Sequence, residues 1–123
     1  MKRLTQQELE ALKKEAKRLI PERVRYYAAK LGITYGRVAI RAQRSRWGSC
    51  SSKGNLNFNC LLMLTPREVI DSVIVHELCH RRQLNHSKAF WKLVYEAMPD
   101  YGTWDRWLKD HGRELISALP DSR

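Results

Sequence analysis

The chain's pattern predicts an α+β domain in which a short antiparallel sheet packs on a buried central helix flanked by further helices. Three observations predict it. An apolar period of two recurs over 38–42 and 56–60, helical periods flank that region, and the stretch 69–80 is apolar nearly all round when wound at about 100° per residue. The 123 residues suit one domain with a modest core. The expected layout is an N-terminal helical segment, 1–35, a core, 36–116, and a tail, 117–123.

Composition narrows the functional classes. Hydrophobic residues at 43% and charged residues at 29% exclude a disordered or collagen-like chain. The formal charge of +10, from 23 Lys and Arg against 13 Asp and Glu, makes acidic surfaces and nucleic acid candidate partners. Arg41, Arg44 and Arg46 are the nearest approach to a basic patch. Cys50, Cys60 and Cys79 form no CxxC pair and leave an odd thiol, so a disulfide framework or a second zinc site is not expected and a cytoplasmic location is. No apolar run follows Met1-Lys2-Arg3 and no stretch approaches membrane-spanning length, so neither a targeting signal nor a membrane partner is expected.

Thr5 and Glu8 form a capping box, with Leu4 and Leu9 as its hydrophobic staple, so the first helix should start near Gln6. Its apolar stripe is Leu9, Leu12, Ala16, Leu19 and Ile20. Pro21 then predicts a kink or a fresh helix, carried on by Val24, Tyr27, Ala28 and Leu31 to a stop at Gly32. Val38, Ile40 and Ala42 alternate with polar neighbours as a half-buried strand. Leu56, Phe58 and Cys60 do the same, with Asn55, Asn57 and Asn59 facing the other way. The Gly- and Ser-rich connection between them predicts an antiparallel pair with a longer loop, and the asparagine-bearing strand is expected at an exposed edge. Thr65-Pro66-Arg67-Glu68 reads as the start of the central helix, with Thr65 as its N-cap. Asn85 or Ser87 should cap a helix that buries Phe90, Trp91, Val94, Ala97 and Met98. Trp104, Trp107, Leu108, His111 and Leu115 mark a last helix. No internal repeat is present.

The central helix carries chemistry. His76 and His80 lie one turn apart on one face, and His86 follows in Asn85-His86-Ser87. Three imidazoles suit Zn²⁺ and leave a fourth position for water, the arrangement of catalytic rather than structural zinc sites. Glu77, about 60° to 100° round the helix from both histidines, can accept that water's proton without binding the metal. His76, His80 and His86 are therefore the candidate metal ligands and Glu77 the candidate catalytic base. His111 and Cys79 read as packing residues. Trp47, Trp91, Trp104 and Trp107 read as core and cleft wall, because none is interleaved with basic residues as in a base-stacking strip.

Arg44-Ser45-Arg46-Trp47-Gly48-Ser49-Cys50, Gly54-Asn55-Leu56, Asn59, Leu62, Pro66, His76-Glu77-Leu78-Cys79-His80, Asn85-His86-Ser87 and Phe90-Trp91 together resemble the YgjP-like metallopeptidase family, more distantly related to SprT-like and WLM zinc proteases. The resemblance runs from about Gly36 to about Gly112. It implies a small α+β zincin-like domain that hydrolyses peptide bonds, with zinc held by His76, His80 and His86 and Glu77 as base. The family pattern carries a β-rich segment ahead of the first helix, whereas this chain starts almost at the helix, so less substrate-binding surface is expected. Gln83 stands where metzincins carry a turn glycine, so the link to His86 should bend differently. Gly48 is read as answering an awkward backbone angle, and Trp47 as covering the metal helix. Tyr95, Tyr101 and Arg46 are the candidates to steady an oxyanion. The competing readings are a DNA-associated, SprT-like protease and a basic nucleic-acid-binding zinc protein without turnover; the sequence offers no fourth ligand for a purely structural site.

Overall fold

The protein is described by a computed structural model over residues 2–120; the end of the expected tail, 121–123, lies outside the described residues. Thr5 opens the fold. Its hydroxyl accepts from the Glu8 amide at 3.0 Å while the Glu8 carboxylate accepts from the Thr5 amide at 2.8 Å, closing the capping box of α1, Gln6–Leu31. The helix runs through Pro21 as a single element, with no fresh start. Ile20 and Val24, both fully buried, keep the apolar stripe in phase across the proline, so packing outweighs the lost backbone hydrogen bond. Gly32 ends α1 at φ 66°, a left-handed conformation that other residues adopt at a cost.

The sheet differs from the expected antiparallel pair. Strand β1, Val38–Arg41, lies parallel to β3, Leu56–Asn59, with Val38 opposite Leu56 and Arg41 opposite Asn59. The connection itself supplies a strand, β2, Gly48–Cys50, which crosses to the other side of β3 and pairs antiparallel with it, Gly48 opposite Phe58 and Cys50 opposite Leu56. The order is therefore β1-β3-β2, and the asparagine-bearing strand is central rather than an edge. A turn links β2 to β3, with the Gly54 amide donating to Ser51 O at 2.9 Å and Gly54 at φ 86°. Asn59 also departs from the expected outward face. It is buried, donates to Gln43 O at 2.7 Å and Arg46 O at 3.0 Å, and accepts from the Leu61 amide at 3.0 Å, so its amide pins the loop that leads into β2.

A 3₁₀ turn, Cys60–Leu64, leads to α2, Arg67–Cys79. Thr65 closes that turn instead of capping α2: its hydroxyl donates to Leu62 O at 2.7 Å, and Pro66 takes the N-cap position with no side-chain cap. Helices α3, Lys88–Ala97, capped by Ser87, and α4, Tyr101–Ser117, complete the domain. Helix α2 passes through the middle, with Val69, Ile74, Val75, Leu78 and Cys79 fully buried. It packs against α1, β2, α3 and α4. Asp71, buried on α2, accepts two hydrogen bonds from Arg23 of α1, at 3.0 and 2.7 Å, and one from the Tyr27 hydroxyl at 3.2 Å. No helix among the described residues is long and apolar enough to cross a membrane.

Candidate metal centre

The apolar sequence of α2 buries the helix, and its last turn delivers His76 and His80 to the end of the core. His76 lies within the helix and His80 is its C-cap residue, φ −64° and ψ −17°. The chain then bends: Arg81 N donates to Leu78 O at 2.9 Å and Gln83 N to Cys79 O at 3.0 Å. Ser87 starts α3 by accepting from the Phe90 amide, which places His86 just ahead of the helix. No glycine is needed at Gln83, because the 81–83 bend stays in ordinary backbone space; only Gly32 and Gly54 have positive φ among the described residues. Aromatic rings set the imidazole planes. Phe90, fully buried, stacks under His80 with centroids 4.5 Å apart, and Trp91 stacks on His86 at 5.7 Å.

The three histidines converge. His76 Nε2 lies 3.3 Å from His80 Nε2 and 3.3 Å from His86 Nε2, and the three residues form the metal-competent cluster among the described residues, without a fourth Asp, Glu, Cys or His. Tetrahedral binding at about 2.0–2.1 Å from each nitrogen would hold such atoms about 3.3–3.4 Å apart. His80 Nδ1 faces the Gln83 carbonyl at 3.1 Å. A carbonyl only accepts, so Nδ1 carries the proton and Nε2 presents a lone pair to the cluster. Burial, followed by the neighbouring His80 and His86, pushes His76 down to about 4, and burial first also lowers His80. Both are therefore neutral and able to bind a cation, and crowded lone pairs of this kind are relieved by one. The donor set fits a divalent metal with three protein ligands.

Glu77 lies beside them, 8% exposed. Burial pushes its carboxyl up to about 7, against the pull of Arg46. A cleft of about 460 Å³ is lined by Arg46, Gly48 and Cys50 on one wall and by Glu77 and the histidines on the other. Gly48 has a negative φ, so the expected backbone strain is not its reason. A Cβ there would sit 2.9 Å from Val73 Cγ1 and 3.1 Å from Glu77 Cγ; glycine lets β2 press directly against the metal helix.

Of Tyr95, Tyr101 and Arg46, only Arg46 lines this cleft. Tyr101 is buried behind His76, its hydroxyl 2.8 Å from His76 Nδ1, and burial first, then Asp105 and Glu77, raise its phenol well above the usual value. The sequence names Tyr101 as an oxyanion candidate; its place behind His76 depends on a contact 25 residues away that no local pattern signals. Arg44 donates to Pro120 O at 2.6 Å and Arg41 lines a groove on the sheet with Arg37, so Arg41, Arg44 and Arg46 serve different features. His111 stacks on Trp107, and its Nδ1 donates to Trp107 O at 2.8 Å, away from the cluster. Cys79 is buried, and burial pushes its thiol up to about 11. Trp47 lies against Gly112 of α4 and lines a smaller cavity with Val73 and His76 of α2.

The YgjP-like metallopeptidase domain model matches residues 2–111. The chain belongs to the YgjP-like metallopeptidase family. A metallopeptidase hydrolyses peptide bonds with a catalytic metal, and the histidine cluster is the group able to hold one. Among solved structures, the metallopeptidase zymogen abylysin of Pyrococcus abyssi superposes with a TM-score of 0.68 at 22% identity, over 77% of this chain and 97% of that one. The zymogen jannalysin of Methanocaldococcus jannaschii gives 0.64 at 18% identity, over 74% and 94%. At these identities the likeness establishes the shared zincin-like α+β fold. No curated protein sequence matches the chain significantly.

Proposed function

We propose that this metallopeptidase uses Zn²⁺ held by His76, His80 and His86, with Glu77 as its general base. One observation carries the reading: three imidazole nitrogens converge at 3.3 Å spacings beside a nearly buried carboxylate. When bound, Zn²⁺ supplies Lewis acidity that eases ionisation of a water and polarises the scissile carbonyl. Glu77, shielded from solvent and with a pKa of about 7, accepts the water's proton and later delivers it to the leaving amine. Arg46, on the opposite wall, faces the negative charge that develops on the carbonyl oxygen. The free edge of β2 offers backbone groups along the same cleft, so an extended peptide joins there as a further strand and crosses the metal site.

Casein hydrolysis and bound zinc, measured on the wild type and on Glu77→Gln, test this. The variant should retain about one zinc per chain and lose activity by about 10³-fold or more. Undiminished hydrolysis would remove Glu77 from the mechanism, and a wild type that binds no zinc would remove the metal assignment.

A further inference from the structure

We propose that Tyr101 and Asp105 of α4 form a hydrogen-bonded relay that fixes the His76 tautomer and thereby positions this ligand for metal. The inference rests on the reading of His76 as a ligand and adds the groups that act through it. Tyr101 is 5% exposed, and its hydroxyl lies 2.8 Å from His76 Nδ1 with the two rings nearly parallel, 25° apart. Asp105, one helical turn further along α4, lines the same cavity as Tyr101 and His76, and its charge helps to raise the Tyr101 phenol. A carboxylate only accepts, so in the proposed relay the tyrosine proton points to Asp105. The oxygen's lone pairs are then turned to His76, and Nδ1 must carry hydrogen. That leaves His76 Nε2 bare and aimed at the nitrogens of His80 and His86. Asp105 is itself held, with Lys109 Nζ 3.0 Å from its Oδ2.

Tyr101 is set back from the cleft. It lines the cavity behind His76, with Trp47, Ser72 and Leu108, rather than the cleft that Arg46 and Cys50 share with the histidines. Its one proton is also committed to Asp105. It is a positioning residue. The relay gives α4 a chemical role, since the other Nδ1–H whose acceptor is identified, that of His80, is satisfied by a backbone carbonyl in the adjacent loop. Ligand imidazoles held through their second nitrogen lose about 10- to 100-fold in metal affinity when the partner is removed.

The test measures zinc affinity by chelator competition and the visible spectrum of the Co²⁺-loaded full chain, for wild type, Tyr101→Phe, Asp105→Asn and the double variant. Tyr101→Phe keeps the ring and removes only the hydroxyl. It should weaken zinc binding about 10- to 100-fold and shift the Co²⁺ bands. Asp105→Asn should weaken binding by less, and in the Tyr101→Phe background it should do nothing more, because Asp105 acts through the tyrosine. Should Tyr101→Phe fail to fold, the partly exposed Asp105→Asn carries the same comparison on its own. Wild-type affinity and spectrum in both single variants would overturn the relay, as would additive losses in the double variant. A wild type that binds no zinc would instead overturn the metal assignment beneath it.

Discussion

Replacing Gly48 with alanine tests how closely β2 is fitted to the metal helix. The added methyl would lie 2.9 Å from Val73 Cγ1, 3.1 Å from Glu77 Cγ and 3.2 Å from Glu77 Oε2, against an ordinary carbon contact of about 3.5–4 Å. Something must move by roughly 0.5–1 Å. Val73 is buried in the core, so the displacement falls on the three-residue strand or on the Glu77 side chain. Overpacking of this size costs about 1–2 kcal/mol, the lower part of the usual range because an edge strand can yield. At about 4 °C per kcal/mol for a domain of this size, Tm should fall by about 4–8 °C. The catalytic penalty should be larger in proportion. A carboxylate misplaced by about 1 Å costs about 100-fold in rate. Paired measurements of Tm, zinc content and kcat/KM at 25 °C should therefore show full metal, a modest loss of stability and about a 100-fold loss of activity. Wild-type kcat/KM with an unchanged Tm would show that the contact between β2 and Glu77 has slack, and the account of Gly48 would fail.

Two further outcomes are expected. Asp71→Ala removes the acceptor for Arg23 and Tyr27 between α1 and α2, leaving the guanidinium, 24% exposed, without its partner; stability should fall by about 3 kcal/mol, read as a Tm lower by about 12 °C, and an unchanged melt would show that the pair contributes nothing net. Leu84→Ser at the cleft rim, where the side chain is 75% exposed, should leave Tm within about 2 °C yet raise KM for apolar peptides about fivefold, and an unchanged KM would place substrate elsewhere.

Local chemistry made the helices and the histidine cluster legible. Thr5 with Glu8, Gly32 and Ser87 announce their ends in a few neighbouring residues, and His76, Glu77 and His80 share a face by helical arithmetic alone. What stayed hidden depends on partners far along the chain. Strand β2 is too short to show an alternation, and its pairing converts an apparent hairpin into a parallel pair. Asn59 looks like a solvent-facing strand residue until the loop that it holds is in place. Gly48 has unremarkable dihedrals, so only the side of α2 explains it. Tyr101 meets His76 across 25 residues, a contact no spacing rule anticipates. Thr65 carried a helix-start signal, but the preceding 3₁₀ turn claimed its hydroxyl first.

Arg81 follows directly after His80 of the histidine cluster, and its guanidinium reaches away from the site. It donates to Thr34 O beyond the end of α1 at 3.0 Å and to Ser52 O in the β2–β3 turn at 3.4 Å, and it lies so close over Gly54 that a Cβ there would meet its Cζ at 2.6 Å. Arg82 adds a bond to Gly32 O at 2.8 Å. Three segments distant in sequence are thus stapled at the point where the metal loop begins. The consequence is thermodynamic linkage. Free energy gained if the loop closes on a cation, as proposed, would be shared by the hairpin turn and the end of α1, and loosening either one would weaken the grip on the ion. Under the proposed function, metal occupancy and the cohesion of the fold would be two readings of one equilibrium.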